Sequence, residues 1–166
     1  MLLLAVYHNI ENPNVNVNIV EAWIAEKIKI MTKITLDDDF QTYWFGMGDY
    51  EINLTIVNKV IRVIYVSEPP FGDSYHKLYV DDIEFKGFVW GCEFLFPFNQ
   101  EYLICSWMKG LYQRKTIIIN LINLNYHILP ISYESFKRQK NYIYFESKLL
   151  NKSLALDLNN IQNIFN

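Results

Sequence analysis

The chain is predicted to fold as a mainly β protein, with antiparallel strands in a twisted meander or a sandwich and a short C-terminal helix. Three observations carry that prediction. Short runs rich in Ile, Val, Tyr and Phe recur along the sequence, separated by Gly, Pro, Asn and Asp, which is the punctuation of strands and turns. Aromatic residues reach 16% and hydrophobic residues 51%, a composition that suits half-buried pleated surfaces and excludes disorder. Alanine is scarce while isoleucine is abundant, which disfavours a helical bundle.

Taken in order, residues 1–6 read as a first strand buried on both faces. Their apolar run stops at His8-Asn9 and has no basic residues before it, unlike a signal peptide. A helical turn fits 19–25. Residues 27–36 alternate almost strictly on one side, as a strand with one buried face should. Segments 50–57 and 59–66 abut at Asn58 and read as two strands with a tight turn or as one long bent strand. Further strands are expected at 75–80, 88–96, 101–108, 114–121, 124–129, 142–147 and 152–158. Residues 46–49 form a turn, and 69–74 form the clearest loop. Residues 132–140 have no apolar period and read as a turn of helix or an exposed loop. Leu158, Ile161, Ile164 and Phe165 recur at helical spacing and predict the terminal helix.

Residues 88–108 are the most informative stretch, because two aromatic runs flank a Pro-Phe-Asn-Gln breaker. Folding them about Phe98 and Asn99 sets Trp90 opposite Trp107 and Cys92 opposite Cys105. Phe88, Phe94, Phe96 and Leu103 then share the same buried face. Gly87 and Gly91 bracket the entry to this hairpin, where glycine in a strand marks a bulge. Residues 101–129 run strand, turn, strand in the manner of a β-propeller blade. Blades take roughly 40–50 residues each and carry Gly-His or Trp-Asp signatures, which are missing here, so a meander or sandwich is the plainer architecture.

The 166 residues fit a single β-rich domain spanning 1–166. No apolar run approaches the roughly 20 residues that cross a bilayer, so a cytoplasmic protein without membrane contact is expected. Two cysteines are too few for a disulfide framework and read as reduced, buried apolar residues. His8, His76 and His127 lie far apart, and no zinc spacing or nucleophile motif occurs. His76 near Asp73 and Asp81 is the only local grouping of histidine with carboxylates, and a solvated loop-edge histidine is the favoured explanation of it. No metal, cofactor or catalytic residue is therefore expected, and the chain is read as a non-enzyme.

Charge is uneven along the chain. Residues 37–93 hold 11 acidic and 4 basic residues, net −7, against net 0 for 1–36 and net +4 for 94–166, summing to −3. Lys109, Arg114, Lys115, Lys137, Arg138 and Lys140, with Tyr112 and Tyr133, form a candidate basic patch. The pI near 5.6 argues against nucleic acid as the main partner. The acidic middle is the better recognition surface. Asp37, Asp38, Asp39, Asp81, Asp82 and Glu84 are the charged candidates, with Trp44, Phe71 and Tyr75 as aromatic anchors. Acidic turns that only keep strand edges soluble are the competing explanation.

In type, the chain resembles the cytosolic immunity proteins that block secreted bacterial toxins, being small, acidic, single-domain and empty of catalytic motifs. The resemblance covers overall plan and composition, with no motif through which a binding residue carries over. It implies a bacterial toxin inhibitor whose partner is a protein. The alternatives are a small hydrolase using dispersed carboxylates and an assembly subunit joined through edge strands.

Overall fold

The computed structural model describes residues 31–38, 42–44, 47–70 and 72–165, without the side chains of Thr42 and Cys92. The expected strand at 1–6, the helical turn at 19–25, the start of the 27–36 strand, Asp39 and Phe71 lie outside the described residues. From Met31 onward the chain forms one compact unit.

Twelve strands are described, in two sheets. The larger is built from β1 (Thr32–Leu36), β3 (Tyr50–Leu54), β4 (Lys59–Ser67), β5 (Tyr75–Val80), β6 (Ile83–Leu95), β7 (Tyr102–Met108), β8 (Arg114–Asn120) and β9 (Tyr126–Ile128), in that order. The short β2 (Thr42–Trp44) sits beside β6. The smaller sheet is β10 (Ser135–Gln139), β11 (Tyr142–Ser147) and β12 (Lys152–Asp157), followed by a 3-10 helix at Leu158–Phe165. Neighbouring strands are antiparallel except β1 and β3, which run parallel. Two-residue turns join several strands. Asp81 and Asp82 both take positive φ between Val80 and its partner Ile83, the geometry of a tight hairpin turn.

Two cores follow from the alternation of side chains. Leu36, Ile52, Ile61, Leu78, Val89, Leu103, Trp107 and Ile117 come from one face of the large sheet and meet in a single cluster. Side chains of strands from β1 to β8 can touch only if the sheet curls around that face. Ile104 and Ile118, on the opposite face of β7 and β8, pack against Phe136, Ile143 and Phe145 of the small sheet and Leu158 and Ile161 of the helix. β7 and β8 are thus buried on both faces, and the meander and the sandwich are both present.

Gln100 clasps the curl. Its side chain is fully buried; it donates to the carbonyls of Leu36 (3.0 Å) and Asp38 (2.8 Å) and accepts from the N–H of Ile56 (3.0 Å). Phe98, Asn99 and Gln100 all adopt positive φ, a costly conformation for residues with a Cβ. The clasp holds the last of them there.

Two expectations are corrected. Residues 135–139, read as helical turn or exposed loop, form β10. The strand was hidden because Phe136 is its one deeply buried anchor, while Lys137 and Gln139 face solvent. Such polar patterning belongs to an edge strand whose pairing comes from its neighbour. The hairpin register also differs: Trp107 pairs with Val89, and Cys105 pairs with Phe94, not Cys92. Between those pairs lie four residues of β6 (Trp90, Gly91, Cys92, Glu93) and one of β7 (Ser106). This bulge reverses the alternation, so Phe94 and Phe96 face the curled core as expected while Trp90 and Phe88 face the other way. The two tryptophans are on opposite faces. The parallel β1–β3 pair sits within the mainly antiparallel arrangement that was expected.

A second irregularity lies against β5, where Lys86, Gly87 and Phe88 stand opposite Lys77 alone. Gly87 has φ +90°, and a Cβ there would sit 2.6 Å from the Met108 carbonyl oxygen and 2.6 Å from Nε1 of Trp107. That indole N–H donates to the Lys86 carbonyl at 2.9 Å.

Gly87→Ala is expected to destabilise the fold by about 2–4 kcal/mol, through strained backbone and displacement of Trp107. Gln100→Ala is expected to cost about 2–4 kcal/mol by stranding buried backbone groups. Urea unfolding of each variant checks both values; a change below about 0.5 kcal/mol would show that the clasp or the close approach is dispensable.

Candidate functional site

The break in β6 shapes the outer surface beside it. Trp90 emerges on the outer face of the large sheet yet is only 4% exposed. Its ring stacks on Tyr75 with centroids 6.2 Å apart and planes 7° from parallel. The Arg114 guanidinium lies over the ring at 3.9 Å from its centroid. Its indole N–H donates to Asp73 Oδ2 at 3.2 Å. The side chain is held on every group it offers, which makes it a rigid wall.

That wall bounds a groove of about 410 Å³, where the outer face of the large sheet meets the segment entering the small one. Trp44 of β2 is the opposing aromatic, paired in register with Glu93 and 75% exposed. Met47 beside it is also exposed. The groove's charged lining comprises Glu68, Asp73, Glu93 and Glu134 against one cation, Arg114. Arg114 is engaged on the Trp90 ring. Glu134 accepts from Ser147 Oγ (3.0 Å) and the Lys148 N–H (2.7 Å). Glu68, Asp73 and Glu93 have no ion-pair partner among the described residues. Burial pushes the Glu93 carboxyl above the ordinary glutamate range. An aromatic slot with unmatched carboxylates attracts a cation by charge and accepts its flat or aliphatic part by stacking.

The expected site residues fall into two places. Trp44 is in the groove and Tyr75 stands behind its wall. Asp37, Asp38, Asp81, Asp82 and Glu84 lie toward the far end of the large sheet. β5 is six residues long, so at about 3.3 Å per residue its two ends are roughly 17 Å apart. Leu36, Leu54 and Lys59 form one row across β1, β3 and β4, and Lys59 holds Asp81. This brings the end of β1 and the β5–β6 turn to within about three strand spacings, or about 15 Å.

The β5–β6 turn is internally matched. Asp81 pairs with Lys59, Asp82 with Arg62 and Glu84 with Lys77. Burial alone would raise the Asp81 carboxyl, but the Lys59 ammonium and the Val60 N–H outweigh it and hold the group below its usual range. Asp38 accepts the Tyr43 hydroxyl. Burial and that carboxylate together push the Tyr43 phenol well above its ordinary value. These carboxylates shape turns and strand ends as well as carrying charge.

Trp90, Glu93, Met47, Glu68, Asp73 and Arg114 were not expected at the site. The available signal was the pair Gly87 and Gly91, positive in φ and flanking Trp90, which marks a break in alternation. His76, singled out with Asp73 and Asp81, is buried and lies edge-on to Tyr65 at 5.7 Å. It does not line the groove. Cys105 is a free, buried thiol whose proton affinity is raised by burial. Among the described residues no group of three or more His, Cys, Asp or Glu is placed to hold a metal ion, and no described helix is long and apolar enough to cross a membrane.

Glu93 supplies a pH test. Its folded-state proton affinity exceeds that of the unfolded chain, so its contribution is fully present below the ordinary glutamate pKa and is lost as pH rises through the folded value. Glu93→Gln keeps the neutral shape. It is expected to raise Tm at neutral pH, with the gain vanishing below the ordinary glutamate range; a constant gain across pH would show that Glu93 is not raised by burial.

A scan against protein-family models, a search of curated proteins and a search of solved structures each found no match, so function is argued from this groove and its charge.

Proposed function

We propose that the chain is a protein-binding module that receives a basic side chain of a protein partner in the groove between Trp44 and Trp90. The observation that carries the reading is Trp44: a tryptophan left 75% exposed on a strand that places it over unmatched carboxylates. Exposed tryptophans beside a rigid, desolvated pocket are the residues in which interface energy concentrates. A guanidinium or ammonium entering there would exchange water for Glu68, Asp73 and Glu93. Asp37 and Asp38 add negative field at the far end of the sheet and would serve approach more than final contact.

The concrete form of this module is a cytosolic immunity protein that neutralises a secreted bacterial toxin. Its support is the small acidic plan, the lack of recognisable catalytic motifs and a groove that suits a basic partner, as nucleic-acid-cleaving toxins tend to be. The chain acts here by occupation, without catalysis or cofactor.

A hydrolase using carboxylates is the second reading, and Glu93 favours it. A carboxyl with raised proton affinity beside other carboxylates is the arrangement that divides general acid from general base. In that case Glu93→Gln abolishes turnover, whereas in a binder it only weakens association through the lost charge.

The test is association with the product of the neighbouring gene, followed at low and high salt. Trp44→Ala is expected to weaken binding about 10- to 100-fold, mainly by faster dissociation. Reversing Glu68 and Asp73 to Lys is expected to slow association about tenfold at low salt, with the difference shrinking at high salt. Reversing Asp37–Asp39 or Asp81, Asp82 and Glu84 gives the corresponding values for the acidic end. If every variant associates and dissociates like the parent protein, neither surface is the contact face.

A further inference from the structure

The geometry points to a second recognition surface: the groove between the β7–β8 turn and the β11–β12 turn is a docking site for an acidic, apolar segment of a protein partner. It encloses about 850 Å³ and is lined by Tyr112 and Arg114 on one side and by Lys148, Leu149 and Leu150 on the other, with Lys115 and Ile131 between. This surface is distinct in charge from the acidic groove and does not depend on the function proposed for it.

Two features set the site apart from ordinary turns. Leu149 is 87% exposed and Tyr112 is 71% exposed. Large apolar side chains presented from two facing turns form a patch that water wets poorly. Tyr112 also holds φ +69°, uncommon for a bulky residue.

Charge decides the occupant. Arg114, Lys115 and Lys148 line the groove with one carboxylate, Glu134. Both oxygens of Glu134 are engaged, by Ser147 Oγ and by the Lys148 N–H. None of the three cations pairs with a carboxylate among the described residues. Lys115 donates to the Pro130 carbonyl and retains further donors; Arg114 stacks on Trp90 and keeps its outer edge. A segment interleaving Asp or Glu with Leu, Ile or Phe would satisfy floor and rim together.

An anionic membrane would also attract lysines beside apolar turns. Leu149 and Tyr112 stand out at the rims of a groove whose two sides come from different turns, whereas shallow membrane insertion calls for a single convex tip or an amphipathic face. Concavity favours a peptide segment.

The experiment selects peptides from a random display library on the immobilised full-length chain and measures the affinity of synthesised winners. Enriched sequences should interleave acidic and large apolar residues. Leu149→Ser, a change at an exposed turn, should weaken them about tenfold or more, as should the double variant Lys115→Glu with Lys148→Glu. Trp44→Ala should leave them unchanged, which separates this site from the acidic groove. Enriched peptides that are basic or neutral, or that bind the Leu149→Ser variant normally, overturn the proposal. Sedimentation with phosphatidylserine vesicles that is lost in Leu149→Ser, without acidic peptides in the selection, overturns it in favour of a lipid surface.

Discussion

β6 is the strand on which the rest of the molecule depends, because it changes partners and reverses its faces partway along. Its first half pairs with β5 and β7; its last residues pair with β2 and β7. A regular strand of this length would carry one set of side chains into the core throughout. The unequal span at Gly91 allows Val89, Phe94 and Phe96 to enter the same curled core although their numbers differ in parity. Trp90 is thereby turned outward. The aromatic groove is thus a by-product of how the sheet bends, and its wall is as rigid as the core behind it.

Closure of the sheet relies on one neutral side chain. Gln100 brings two donors and an acceptor to backbone groups of β1, the segment after it and the β3–β4 turn. A carboxylate could not donate to the two carbonyls and an ammonium could not accept from the amide. The left-handed conformations of residues 98–100 persist because buried hydrogen bonds over-determine them. Strain at this turn and closure of the distant sheet edge are therefore coupled.

Electrostatics divides the surface by whether charge is matched. At the β5–β6 turn every carboxylate has a basic neighbour within the sheet, and exposed pairs of this kind contribute little stability. Their effect is local geometry and solubility. At the groove, Glu68, Asp73 and Glu93 lack such neighbours among the described residues and lie beside exposed aromatic surface. Arg114 stands at the boundary between that groove and the basic apolar one. Opposite potentials side by side favour a partner presented in one orientation.

Strand content, most strand positions, the turn at Asn58 and the terminal helical segment were legible from local pattern, since period-two alternation and turn residues are properties of neighbouring positions. The burial of Trp90 was legible as well. The face of Trp90 was not: alternation read backward from Phe94 and Phe96 puts it in the curled core, and only pairing with β5 and β7 reveals the residues that reverse it. β10 was hidden because its sequence is polar and its strand conformation is imposed by β11. Likewise, acidic clustering in the sequence located charge but not its partners. Lys59, Arg62 and Lys77 neutralise the turn because the hairpins bring them beside it. Glu68, Asp73 and Glu93 line one groove because segments far apart in sequence converge there. The chain by itself determined which segments pair as strands, and the tertiary structure decided which faces meet and which charges remain unmatched, because register and convergence depend on contacts between residues far apart in the chain.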